Sequence, residues 1–505
     1  MFAPLILARR AALAACLLTL PTLAQAFGFP DVAQRAKAQA AEAFRSPDGQ
    51  SPDELLELSY DQYRDIRFKP DRSIWRKDKL PFEIQLFHPG FIYNRPVQIN
   101  LITDDKPRRL PFNPLDFDYR TNRLSRDDLQ NVGFAGLRVH YRLNRPDIVD
   151  EVLVFQGASY LRALGRGQRY GLSARGVAVD TALRSGEEFP FFKEFWIEQP
   201  QDDDRELTFY ALLDSPSMTG AYQFRLRPGT ETELRVRARL FMRKSVDKLG
   251  LAPLTSMFYY GENQRGPHPD YRPEVHDSDG LLIHTDEDEW IWRPLVNPRR
   301  LLVTSFALKN PRGFGVMQRD HNFANYEDLE ARYELRPSAW IRPEGDWGPG
   351  RVELVLIPTP DETNDNIVAY WVPEAPATAG QIVDIEYRLG WQMKKLAQPP
   401  DAWVAQTRIG AWPMREPDDR LRVALDFTGP ALAQFKGGAE PTARIWASEN
   451  GEILEQQSFR NEVTGGWRVS FVMRRKTAGE PVELRAHLQH NSKMISETWS
   501  YILPP

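Results

Sequence analysis

Three acids, Asp361, Glu362 and Asp365, fall within the stretch IPTPDETNDNIVAYW, between the apolar runs VELVLI and IVAYW. Carboxyl groups in such a loop have three uses. They make a solvated turn with Pro and Asn, they hold a cation, or they do acid–base work on a bound substrate. A second cluster, HDSDGLLIHTDEDEW, carries His276, Asp277, Asp279, Asp286, Glu287, Asp288 and Glu289, with the stretch from Thr285 reading as a hairpin tip. The cation reading fails on pattern, because an EF-type loop needs Gly at its sixth position and Glu at its twelfth, and counting from Asp361 these are Asn366 and Val372. There is no H-E-x-x-H and no phosphate loop of the G-x-x-x-x-G-K-[ST] type. Gly171-Leu-Ser-Ala-Arg175 lacks the second glycine of a nucleophile elbow, and GRGQRYG before it reads as a turn. His487 and His490 are spaced so that a strand would point them to opposite faces. Neither a metal nor an organic cofactor is expected. Two carboxylate clusters on loops, with 13 Trp, 17 Tyr and 27 Phe in the chain, suit a sugar-processing cleft, since aromatic faces stack on sugar rings and glycosidic cleavage needs one protonated and one ionised carboxyl. The same aromatics also suit a core.

The elements that must position these groups are mainly β. Residues 1–26 read as an export signal: Arg9-Arg10, the short apolar core AALAACLLTL, and the small-x-small site Ala24-Gln25-Ala26. A lipoprotein reading of Leu13-Ala-Ala-Cys16 fails because the apolar run continues past Cys16. The chain has a single cysteine, Cys16, so the mature protein has no disulfide and no thiol chemistry, which fits a bacterial periplasm. With 65 Lys and Arg against 69 Asp and Glu, intermixed, nothing calls for nucleic acid or an anionic membrane surface. The run Arg235-Val-Arg-Ala-Arg239 reads as the wet face of a strand. Two helices are expected near the N-terminus, one capped by Asp31 and one opened by Ser51-Pro-Asp-Glu54. From Phe82 onward, runs rich in Val, Ile, Phe, Tyr and Trp alternate with turn residues, the spacing of antiparallel sheets. No fixed repeat appears. The expected organisation is a β-sandwich over 27–396, a linker over 397–411 marked by Pro399-Pro400, and an immunoglobulin-like sandwich over 412–505. The acids of that last unit, such as Asp426 and Glu449, stand in strand or turn contexts, so it carries no catalytic group, and a chain ending near Gln398 is expected to fold and bind.

The segments HDSDGL, RPSAW and ETNDNIV, with VGFAG at 132–136, GASY at 157–160, YGLSARG at 170–176, SGEEFP at 185–190, YALLDSPSMTGAY at 210–222, LAPLTSMF at 251–258 and SETWSY at 496–501, resemble the periplasmic glucans biosynthesis proteins, the OpgG/OpgD (MdoG/MdoD) family, and look closer to its OpgG branch. The resemblance runs over nearly the whole mature chain. It implies a galactose-mutarotase-like β-sandwich joined to the immunoglobulin-like unit, in the periplasm, with a role in making osmoregulated glucans of β-1,2-linked glucose. It implies inverting cleavage or transglycosylation of that backbone, with Asp365 as general acid and Asp277 on the base side through a water relay. A general acid must hold a proton near neutrality, which flanking apolar runs and the like-charged Asp361 and Glu362 favour. Glu362, Tyr333, Arg336, Trp340, Trp347 and Arg175 are the expected substrate contacts. The family role suggests an inner-membrane glucosyltransferase as partner. A non-catalytic factor that binds and guides nascent glucan uses the same groove and is the alternative.

Overall fold

The computed structural model describes residues 26–47, 51–124, 129, 132–393, 397–413, 418–435 and 440–505. Residues 1–25 of the expected export signal, and 394–396 at the expected end of the N-terminal unit, lie outside them. Strands form where apolar and polar residues alternate, because successive side chains point to opposite faces. In Thr232–Met242, Leu234, Val236, Ala238 and Leu240 point inward and are almost fully buried. Arg235, Arg237 and Arg239 make the wet face, where Arg239 grips Asp384 with two hydrogen bonds of 2.6 and 3.0 Å. Exposed pairs of this kind add little; the inward row is what the sheet buries.

Two large sheets dominate. One has ten strands, running from Phe82–Phe87 through Tyr160–Ala163, Ser173–Arg175 and Leu249–Ser256 to Ile367–Pro373, Gly350–Leu356 and the edge strand Leu302–Leu308. The other has fifteen and includes Gly280–His284, Gly313–Met317, Ser338–Glu344, Thr232–Met242 and Phe191–Glu198. Their inner faces meet in one core: the ring of Phe155, from the first sheet, lies 5.2–5.7 Å from those of Phe192, Phe195, Phe209 and Phe224, from the second.

The N-terminal helix Phe29–Ala40 starts two residues before the expected cap. Gly28 is the N-cap, and Asp31, inside the helix, accepts from the Gly28 amide at 2.8 Å. The second expected helix is two short ones, Asp53–Leu56 and Tyr60–Asp65, because Ser59 and Gln62 form a reciprocal capping box that restarts the turn.

The segment 397–411 is not a linker throughout. Trp403–Trp412 is a strand paired with Arg420–Thr428, and Val404 and Thr407 are both buried on its inner side, the register shift between Val404 and Gln406 bringing them to one face. Nor does the C-terminal unit stand apart. Thr498–Leu503 pairs in parallel with Trp290–Pro294 and so extends the fifteen-stranded sheet. Trp403–Trp412, Arg420–Thr428, Trp467–Arg475 and Gly451–Arg460 form a four-stranded sheet, whose Phe471 meets Trp499 of the larger sheet edge to face at 6.3 Å.

Candidate functional site

The two acids that the sequence separates by more than eighty residues hang from one short piece of backbone, Ser256-Met257-Phe258, at the end of the central strand Leu249–Ser256. Asp277 follows the strand Val275–His276, and its amide donates to the Met257 carbonyl at 2.8 Å. Asp365 precedes Asn366, which is 1% exposed and spends its whole side chain on this scaffold. Asn366 Oδ1 accepts from the Phe258 amide at 2.8 Å, its Nδ2 donates to the Phe258 and Ile357 carbonyls at 3.0 and 3.1 Å, and its own amide donates to Ser256 at 3.0 Å. The loop from Ile357 therefore closes on itself and delivers Asp365 beside Asp277.

Each acid faces a guanidinium. Asp277 is buried and ion-paired with Arg336. Burial raises its proton affinity, Arg336 lowers it, and the charge of Asp365 raises it again; the net direction is up. A carboxyl so placed accepts a proton more readily than one in water. Asp365 is more open, with its side chain 32% exposed and Arg162 Nη2 3.5 Å from Oδ2. The apolar enclosure expected for it is absent, because the strand Ile367–Pro373 begins only after Asn366. Arg162 is steadied by Ser173, whose Oγ accepts from Nε at 2.8 Å.

Arg336 reaches Asp277 because its aliphatic stem crosses Gly171, where a β-carbon would stand 2.9 Å from Arg336 Cβ. Its guanidinium lies 4.2 Å from the centre of the Tyr333 ring. Tyr333 is 2% exposed and is thus a platform for Arg336 rather than a surface for sugar. Arg175 is likewise occupied, donating to Thr255 Oγ1 at 2.9 Å and Glu187 at 2.6 Å while stacking on Tyr160 at 4.6 Å. Tyr160 senses the charges of Asp365, Arg162 and Arg175. It also lines a cavity of about 400 Å³ with Tyr93, Arg95, Gln156 and Phe191.

Glu362 is a fastener. Arg272 meets it at 2.7 and 3.1 Å and also holds Asp328 at 3.0 Å and Asp270 at 2.8 Å, so one guanidinium ties three loops around the acids. Asp361 is turn chemistry: its Oδ1 accepts from the amide and hydroxyl of Thr363 at 2.8 and 2.6 Å. Asp361→Asn keeps that acceptor, so stability is expected to change by less than about 0.5 kcal/mol, as checked by urea melts.

Trp340 and Trp347 do not join the site. Trp340 is buried in the sheet core, stacked on Trp290 at 5.9 Å and fitted against Gly313 and Gly315. Trp347 donates from Nε1 to the Glu386 carbonyl at 3.2 Å and packs on Trp371 and Tyr387. Sequence reasoning overlooked Arg162, Tyr160, Arg272 and Asn366. For the first two a signal existed: in Tyr160–Ala163, Tyr160 and Arg162 share the face opposite the buried Leu161 and Ala163. Among the described residues no group of three His, Cys, Asp or Glu side chains is arranged to hold a metal ion, and no helix is long and apolar enough to cross a membrane.

Comparison with known proteins identifies the family of the chain. The family profile described as "Periplasmic glucan biosynthesis protein, MdoG" matches residues 27–503. The chain is 54% identical over 488 residues to the glucans biosynthesis protein G of Ralstonia nicotianae, covering 95% of this chain and 97% of that one. It is 46% identical over 488 residues to that of Pseudomonas paraeruginosa, with 95% and 93% coverage, and 45% identical over 496 residues to that of Serratia proteamaculans, with 97% and 95% coverage. The protein thus belongs to the MdoG family of periplasmic glucan biosynthesis proteins, and its role lies in glucan biosynthesis.

Proposed function

We propose that the pair of acids held at Ser256-Met257-Phe258 cleaves or transfers the β-1,2-linked glucose backbone of periplasmic glucan with inversion at the anomeric carbon. Asp365 gives its proton to the departing glycosidic oxygen as that bond breaks. A water, or a sugar hydroxyl in transfer, bonds to the anomeric carbon from the opposite face and passes its proton by a relay to Asp277. The observation that carries this reading is the pairing of the two acids on one backbone scaffold, where Asp277 is buried with raised proton affinity and Asp365 is open to a ligand. Inverting sites leave about 6.5–9.5 Å between carboxyls for one water, and a relay allows more. Arg336 and Arg162 suit sugar hydroxyls once substrate displaces part of their pairing, and the Tyr93 and Tyr160 rings suit glucose faces.

The same two guanidiniums favour a second reading. Each is ion-paired with its acid, an arrangement that also suits a surface that binds and guides nascent glucan without cutting it. Turnover separates the two. The purified mature chain, at high enzyme concentration, is incubated with linear β-1,2-glucan and the products are sized. Shorter or cyclised oligosaccharides support the first reading; unchanged glucan that nonetheless binds supports the second.

A further inference from the structure

Beyond Asp277 stand two acids that the proposed chemistry does not use, Glu274, which is buried, and Glu262, which is partly buried. His276, 0% exposed, stacks on Phe258 at 5.4 Å with rings 17° apart, and so packs on the scaffold that holds both catalytic carboxyls. Gln318 Nε2 donates to the carbonyls of His276 and Tyr333 at 3.2 and 3.4 Å. Its Oε1 therefore meets His276 Nδ1 as an acceptor, at 3.1 Å, and Nδ1 carries the hydrogen. Nε2 then faces Glu274 Oε2 at 2.9 Å, a contact that needs one proton between the two groups. The Glu262 carboxyl is a neighbour that feels the charge of Glu274, and two adjacent carboxyls taken out of water avoid mutual repulsion by sharing another proton. Glu262 in turn accepts from the amide of Thr407, at 3.1 Å, on the C-terminal strand Trp403–Trp412. Two protons over Glu262, Glu274 and His276 leave the set without net charge, which is the state that burial demands.

We propose that Glu262, Glu274 and His276 form a neutral, proton-sharing strut that positions Asp277 and transmits the docking of the C-terminal strand into the site. They are positioning residues for the cleavage proposed above, and their role in turnover rests on that reading. The strut ends on the two loops that matter: His276 precedes Asp277 in the chain, and Gln318 grips the Tyr333 carbonyl, three residues before Arg336. The groups that face it are Asp279 and Asp320, which add negative charge, Arg319 and Arg408, which add positive charge, and the Tyr326 and Tyr501 side chains.

Burial, then neighbouring acids, holds Glu262 and Glu274 up to about 7. The sign follows. These carboxyls keep protons in the folded chain that the unfolded chain releases above its ordinary 4.5, so their stabilising effect is complete below that value and is lost as pH rises through about 7. Asp279, also pushed up to about 7, adds to the same slope.

The test uses Glu274→Gln, whose amide supplies a fixed donor to His276 and a fixed acceptor to Glu262, and Glu274→Ala, which supplies neither. Tm of the wild-type chain is expected to fall by several degrees from pH 6 to pH 8, and Glu274→Gln to remove about a third of that fall, the remainder belonging to Glu262 and Asp279. A glutamine variant with the wild-type slope overturns the proton-sharing strut. On linear β-1,2-glucan at pH 6, Glu274→Ala is expected to lower kcat about tenfold or more with KM within about twofold, and Glu274→Gln to recover most of kcat. An alanine variant with wild-type kcat, whatever its Tm, overturns the positioning role. If the wild-type chain itself shows no turnover, the cleavage reading falls, and the Tm slope of Glu274→Gln alone decides the strut.

Discussion

Glucan turnover by an Asp365→Asn chain is expected to fall by a factor of roughly 10²–10⁴ while glucan binding persists. Asparagine keeps the size and hydrogen-bonding reach of the side chain but cannot protonate a glycosidic oxygen. The fold does not rely on this carboxyl, whose one ion pair with Arg162 is half-open to water, so the urea midpoint should hold. Asp277→Asn should also lose turnover, with some loss of stability because Arg336 then lacks a charged partner. Fresh product from the wild-type chain should carry the α configuration, since inversion at a β-linkage brings the nucleophile to the opposite face. Near-normal hydrolysis by Asp365→Asn, or β product caught before mutarotation, would return the acids of this loop to turn chemistry.

The largest effect on stability is expected far from those acids. Glu497 is fully buried; it accepts from both Arg319 nitrogens at 2.6 and 2.8 Å and from the Val404 amide at 2.7 Å. Arg319 also lies flat on Trp292, 3.6 Å from the ring centre. Glu497→Ala leaves the Arg319 guanidinium without a charged partner, with only the Val404 carbonyl at 2.8 Å to accept from it, and leaves the Val404 amide without an acceptor, so it is expected to cost about 3–5 kcal/mol, seen as a lowered urea midpoint with an unchanged slope. Asp384→Ala, which breaks the exposed pair with Arg239, should cost less than about 1 kcal/mol. Equal costs for the two would refute the assignment of Glu497 as the pin between the units. A chain ending near Gln398 loses Glu497 and the strand Thr498–Leu503 together, so it is expected to fail as a stable domain, contrary to the division of labour suggested by the sequence.

Strand-rich organisation was legible because alternation is a local property: FEIQLF and WRVSFVMRR each occupy a whole strand. The linker was misread because Pro399-Pro400 signals a break, whereas the pairing of Trp403–Trp412 depends on partners that no local window contains. The acids of the site stood out as clusters, and the resemblance to a family gave two of them roles. Their supports did not stand out. Arg272 and Gln318 act through loops brought together only by folding, and Asn366 looks like any turn residue until its side chain is seen to be spent on backbone. Trp340 and Trp347 were misplaced for the opposite reason: an aromatic ring suits a sugar and a core equally well, and composition does not choose.

The closure of the acid loop has an evolutionary reading. Ile357 and Asn366 are bonded to each other in both directions, amide to carbonyl at 2.9 Å and side chain to carbonyl at 3.1 Å, and Asp365 sits immediately inside that neck. The tip residues Thr363 and Asn364 are exposed, so residues inserted there would lengthen the lip of the groove without shifting the carboxyl beside Asp277. Lineages that meet glucans of different length or decoration can therefore rewrite the rim by insertion and deletion, while the spacing of the two acids is inherited through one side chain, Asn366, and the peptide groups it binds.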